Sequence, residues 1–174
     1  MKNLNWLILL LALGACSHFE EDKNFNKLVS QKPYTALMFI APDCPLCITL
    51  STPYSELSER YPNIQFLAVM SGSHYEAMEI NMYATKTKLK PRIYRDYDYS
   101  VARQLKAAVT PEFFVLDSTS NILYSGMMDD RILTLGSYKQ VWDKHYLKEA
   151  LDAVRIGKAP SVSRTEPIGC ILEY

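Results

Sequence analysis

The chain has 174 residues, enough for one domain with a substantial core, and its 48% hydrophobic and 22% charged content is that of a globular protein rather than a disordered one. Lysine plus arginine and aspartate plus glutamate balance at 19 each, so no basic footprint argues for nucleic acid. No internal repeat or low-complexity tract divides the sequence.

At the N-terminus Lys2 is followed by an apolar run, Trp6 to Leu13, and then by Gly14-Ala15-Cys16. A charged start, a short apolar stretch and small residues at a cleavage point are the pattern of an export signal. The run is shorter than the ~20 residues a spanning helix needs. Leu13-Gly14-Ala15-Cys16 resembles a bacterial lipobox, and the resemblance implies cleavage before Cys16 and lipidation of that residue. Several acyl chains would anchor the protein firmly where one alone is marginal. An ordinary signal peptide with an incidental Cys16 is the alternative. The expected division is a signal at 1–15, a lipid-anchored tether at 16–31, a folded domain at 32–157 and a tail at 158–174. Export would leave Cys44, Cys47 and Cys170 where disulfides persist. Three is an odd number, so two pair and one is left over.

The polar tether is expected to become a short helix near Phe25 to Val29. Tyr34 to Ala41 reads as the first core strand. From Pro45, the apolar positions Leu46, Leu50, Tyr54, Leu57 and Tyr61 recur at helical spacing, with a kink expected at Pro53 and an end at Pro62-Asn63. Ile64 to Met70 is almost wholly apolar, as a central strand would be. A helix over 74–89, a strand over 92–95 and a helix over 99–107 capped from Asp96-Tyr97-Asp98 follow. Glu112 to Leu116 and Ile122 to Met127 form a hairpin around the turn residues 117–121. Tyr138 to Arg155 reads as the last helix, with Trp142, Tyr146, Leu147, Ala150, Leu151 and Val154 on one stripe. Strands alternating with helices predict an α/β fold with a mainly parallel sheet, helices on both faces and an antiparallel edge from the hairpin.

The stretch carrying chemistry is Cys44-Pro45-Leu46-Cys47, placed where the first strand hands over to a helix. Free N–H groups and partial positive charge at a helix start stabilise a thiolate, and such placement lowers a cysteine pKa from ~8.5 into the range ~3.5–7.5. Cys47 lies one helical turn on, within reach to close a disulfide. Half a zinc site, or two unconnected cysteines, would show the same spacing.

The element order, with this CxxC after the first core strand and Thr110-Pro111 before the hairpin, resembles the thioredoxin-like superfamily, in its exported redoxin or TlpA-like branch. Tyr94-Arg95-Asp96-Tyr97-Asp98, the run from Thr110 to Asp117, Gly126, Asp129-Asp130 and the tail Thr165 to Cys170 all resemble that branch. The resemblance implies a central mixed sheet of about five strands and a thiol:disulfide oxidoreductase acting on protein thiols and disulfides of the cell envelope, fed by a membrane electron donor. It needs neither cofactor nor metal. Cys44 would be the nucleophile, Cys47 the resolving thiol, and Pro111 a cis proline with the Thr110 backbone open to an extended substrate. The dithiol is expected to be exposed beside that loop.

Departures from the pattern are visible. Thioredoxin carries a buried acid where this chain has Met38, so the proton acceptor for Cys47 is open between water and Glu112. A peroxide-reducing redoxin would want a hydroxyl and a proline where Ala41 and Leu37 stand. A copper or zinc chaperone using Cys44, Cys47 and Cys170 is the competing class. For Cys170 three readings stand: a third redox thiol, an intermolecular disulfide, or an inert buried thiol. His74 and His145 have no partner at ligand spacing and read as surface residues. Met127-Met128 reads as strand-end packing, and Tyr94, Tyr97 and Tyr99 as amphipathic packing.

Overall fold

A computed structural model describes residues 24–173; the signal, Cys16 and the first half of the tether fall outside the described residues. A short helix α1 (Phe25–Val29) starts at Asn24, whose side chain accepts the Lys27 N–H at 3.0 Å. The chain then runs through β1 (Tyr34–Phe39), α2 (Pro45–Arg60), β2 (Gln65–Ser71), α3 (Ala77–Thr87), β3 (Arg92–Asp96), α4 (Ser100–Leu105), β4 (Val109–Thr110), β5 (Glu112–Asp117), β6 (Ile122–Gly126), β7 (Ile132–Thr134), β8 (Ser137–Tyr138), α5 (Tyr146–Arg155) and β9 (Cys170–Ile171). Pro53 lies inside α2 without ending it.

Five strands form the main sheet in the order β3-β2-β1-β5-β6. β1 pairs parallel with β2, β2 parallel with β3, and β5 antiparallel with both β1 and β6. The sheet is therefore evenly mixed rather than mainly parallel. The apolar β2 is interior, but the centre is β1, because the hairpin joins on the far side of it.

The period of two along β1 divides the core. Ala36, Met38 and Ile40 face a layer with Leu46, Cys47, Leu50 and Tyr54 of α2, Ile80 and Tyr83 of α3, and Leu147, Leu151 and Val154 of α5. Leu37 and Phe39 face the other way, against Phe25, Leu28 and Val29 of α1 and Val101, Ala102 and Leu105 of α4. Tyr54 is wholly buried, and its one hydroxyl proton is shared between Ala36 O at 2.9 Å and Leu67 O at 3.0 Å, setting α2 against two strands. Because α1 is packed and the tail returns to the sheet, the packed unit reaches past 32–157 at both ends.

The last helix is shorter than its sequence pattern predicts. Residues 137–138 form β8, paired with β7, and α5 begins only at Tyr146. Asp130 explains the difference: its carboxylate accepts from the Lys144 N–H at 3.1 Å and pairs with Lys139, holding 139–144 as a loop. Trp142 is not on the buried stripe; it lies under the Arg131 guanidinium, 4.7 Å from the ring centre.

Candidate functional site

The site forms where β1 ends and α2 begins. Cys44 is the N-cap of α2, Pro45 is its first residue, and Cys47 lies in its first turn. Proline suits that first position because its missing N–H would be unpaired there anyway. Across from Cys44 the Thr110–Pro111 bond is cis, as the resemblance implies, and Cys44 Sγ lies 3.0 Å from Thr110 O. Cys47 Sγ points inward, accepting from the Ala41 N–H at 3.5 Å.

The tail brings a third sulfur. β9 pairs antiparallel with β4, with Cys170 opposite Thr110 and Ile171 opposite Val109. Cys170 Sγ lies 2.6 Å from Cys44 Sγ, and either can donate to the other. The expectation of an exposed dithiol is not met: Cys44 is 1% and Cys47 0% exposed. Thr110 and the tail cover the first sulfur, and β1 covers the second.

This packing sets the acidities. Cys44 is lowered from 9.0 to about 5, chiefly because the Cys47 thiol donates to it, with smaller help from the Cys170 thiol, the Cys47 amide and Thr110, against the opposing cost of burial. Cys47 is pushed well up, first by burial, then by the hydrogen bond it makes to Cys44 and by the negative charge there. Cys170 is pushed up to about 12, by burial first and by the same neighbour second. Cys44 is thus the most acidic of the three sulfurs, and Cys47 and Cys170 are the two that keep their protons to higher pH.

Supporting residues surround this group. Glu112 is 2% exposed; its carboxylate accepts the Ala108 N–H at 2.8 Å, so it braces the loop before Pro111. Burial raises its pKa, with the backbone N–H groups of Ala108 and Val109 opposing. Behind Cys47, Ser51 Oγ donates to Cys47 O at 2.8 Å and meets the Tyr83 hydroxyl at 2.7 Å. Tyr75 donates to Asp43 at 3.3 Å, beside Cys44. None of Ser51, Tyr83 or Tyr75 stands out in the sequence, since each arrives from helical spacing or a distant loop.

The structure gathers Cys44, Cys47, Thr110, Pro111 and Cys170 into one place. His145 sits at the start of α5, and His74 stacks on Tyr75 with ring centres 3.9 Å apart. Asp129 pairs with Arg131 at 2.6 Å and Asp130 with Lys139, so both acids are engaged in holding their loop. Met127, Met128 and Asp129 do reach the site side, lining a small hollow with Pro111 and Ile168. Tyr94 is buried, whereas Tyr97 is exposed beneath the Arg95 guanidinium. Among the described residues no group of three or more His, Cys, Asp or Glu side chains is placed to hold a metal ion.

The chain has a thioredoxin-like fold, in which a CxxC dithiol is set against a cis-proline loop. A protein described as thioredoxin-like and solved in its oxidized form matches 61% of this chain and 74% of its own, at 16% identity and a TM-score of 0.51. Two further solved structures match more of the chain. A hypothetical protein from Sinorhizobium meliloti is 22% identical, with a TM-score of 0.72 over 85% of this chain and 83% of that one. An uncharacterized conserved protein from Geobacillus kaustophilus is also 22% identical, with a TM-score of 0.73 over 85% and 80%. No family model and no curated protein matches the sequence.

Proposed function

We propose that the protein is a thiol:disulfide oxidoreductase, lipid-anchored outside the cytosol, exchanging disulfides with protein substrates of the cell envelope. The observation that carries this reading is the placement of Cys44 at the start of α2, 3.0 Å from Thr110 O of the cis Thr110–Pro111 loop and one helical turn from Cys47. The anchor rests on Leu13-Gly14-Ala15-Cys16 in the sequence; among the described residues no helix is long and apolar enough to cross a membrane. A membrane dithiol would serve as electron donor.

The reaction has two steps. Cys44 thiolate attacks one sulfur of a substrate disulfide; that bond breaks, and the leaving sulfur takes a proton from solvent. The mixed disulfide removes the negative charge from Cys44, and with it one of the two main causes that hold the proton on Cys47. Cys47 then gives up its proton and attacks Cys44 Sγ, releasing the second substrate sulfur as a thiol and leaving a Cys44–Cys47 disulfide. Run backwards, the same steps oxidise a substrate dithiol. An apolar groove of about 810 Å³, bordered by Pro42 and Ile48 and floored by Met78, Met82 and Tyr83, adjoins the CxxC and offers surface for an unfolded chain.

Insulin reduction in dithiothreitol tests the reading. The unaltered chain accelerates precipitation of the insulin B chain, and Cys44→Ser returns the rate to that of dithiothreitol alone. An unaltered chain no faster than dithiothreitol counts against it.

A further inference from the structure

We propose that Cys170 is a third redox thiol, seated where a substrate sulfur would bind, and that the oxidised protein exchanges between a Cys44–Cys47 and a Cys44–Cys170 disulfide. The inference rests on the thiol–disulfide reading above and names the competitor that a protein substrate meets first.

The tail is fastened on both sides of Cys170. Upstream, the Thr165 N–H donates to Ser125 O and the Ser125 N–H to Ser163 O, each at 3.0 Å, while Thr165 Oγ1 accepts the Met127 N–H at 2.8 Å. Gly126 makes that approach possible, because a Cβ there would lie 2.3 Å from Thr165 O. Downstream, the Leu172 N–H donates to Ala108 O at 2.9 Å. Between these anchors Gly169 passes so close to the cis-proline loop that a Cβ on it would stand 2.5 Å from Thr110 O. Two positions without side chains thus let residues 163–172 press onto the sheet edge and hold Cys170 Sγ 2.6 Å from Cys44 Sγ.

The edge it occupies is the one a substrate would use. An extended chain adds to an open strand through backbone hydrogen bonds. The only partner β4 has among the described residues is β9, and the residue opposite Thr110 is a cysteine. β9 is two residues long and Ile171 is 79% exposed, so the strand pairing a substrate has to displace is short.

The exchange needs no further oxidant once the protein has taken up a disulfide from a substrate. Cys170, deprotonated to solvent, attacks Cys44 Sγ; the Cys44–Cys170 bond forms as the Cys44–Cys47 bond breaks, and the electron pair leaves on Cys47 Sγ, which takes up a proton. The two electrons stay within the chain, and the proton lost from Cys170 to solvent is balanced by the one Cys47 takes up. The reverse step frees the tail thiol and clears the edge for a substrate.

The test uses the full chain, oxidised glutathione as oxidant, N-ethylmaleimide to block free thiols, and peptide mapping by mass spectrometry. In Cys47→Ser, glutathione on Cys44 is displaced by Cys170, giving an intramolecular Cys44–Cys170 link in most molecules. In the unaltered chain both links appear. Gly169→Val keeps all three sulfurs but pushes the tail off the loop, lowering the Cys44–Cys170 fraction several-fold and speeding insulin reduction. Cys47→Ser with glutathione retained on Cys44 and Cys170 alkylated overturns the proposal, whatever Gly169→Val does. If that result comes with insulin reduction by the unaltered chain, only this inference fails. If the link forms but insulin is untouched, the tail disulfide stands and the reading of the protein as a disulfide reductase falls.

Discussion

Cys44 is acidic because of what donates to it, and the order of the donors is testable. The largest cause is the Cys47 thiol; the Cys170 thiol ranks behind it among the groups that lower the value. Alkylation of Cys44 by iodoacetamide in the reduced protein, followed by mass spectrometry, is therefore expected to half-rise near pH 5 rather than near 9. Cys47→Ser moves that midpoint upward by more than Cys170→Ser does. A midpoint left unchanged by either variant would remove the neighbouring thiols as the cause. Glu112 acts at the same scale but on position rather than charge, since its carboxylate holds the Ala108 N–H and so shapes the loop that meets Cys44.

At the scale of elements, α4 shows how one acid organises a junction. Asp96 is 2% exposed and accepts the Val101 and Ala102 N–H groups at 3.0 Å each and the Ser71 hydroxyl at 2.8 Å. It joins β3, β2 and the start of α4, while Tyr99 enters the helix with φ at +59°. Asp96→Ala leaves buried donors unpaired and is expected to cost about 1–3 kcal/mol of stability, measured by urea unfolding. A loss below about 0.5 kcal/mol would mean water satisfies those groups. The lesson repeats in the tail, where residues 163–172 are an element only because β4 and β6 present edges to it.

For the whole molecule, the thiols couple redox state to stability through pH. Cys44 has its pKa lowered in the fold, from 9.0 to about 5, so its contribution is fully present above 9 and is lost as pH falls toward 5. Cys170 is raised to about 12, so its contribution is present below 9 and is lost as pH rises from there toward 12. In the reduced protein, the Tm difference between the unaltered chain and Cys44→Ser is therefore expected to move in favour of the unaltered chain as pH goes from 5 to 9. Calorimetry across that range checks it; a flat difference would contradict the lowered acidity. Above pH 9 the unaltered chain loses part of this advantage as the unfolded thiols ionise.

The sequence by itself determined the five-strand frame and the dithiol. The apolar run of the first strand and the 3.6-residue period along 45–60 follow from which faces must be buried, and that information is local. The CxxC at a strand-to-helix junction was legible for the same reason, and Thr110-Pro111 before a hairpin through the resemblance it carries. Only the tertiary structure decided the rest. Trp142 fitted a helical stripe, but Asp130, fourteen residues before Lys144, claimed that amide and kept 139–144 out of the helix. Cys170 was legible as an odd thiol and no more, because its place beside Cys44 depends on Gly169, Gly126 and Thr165 meeting loops that lie about 40–60 residues away in the chain, a closure whose entropy no local pattern records.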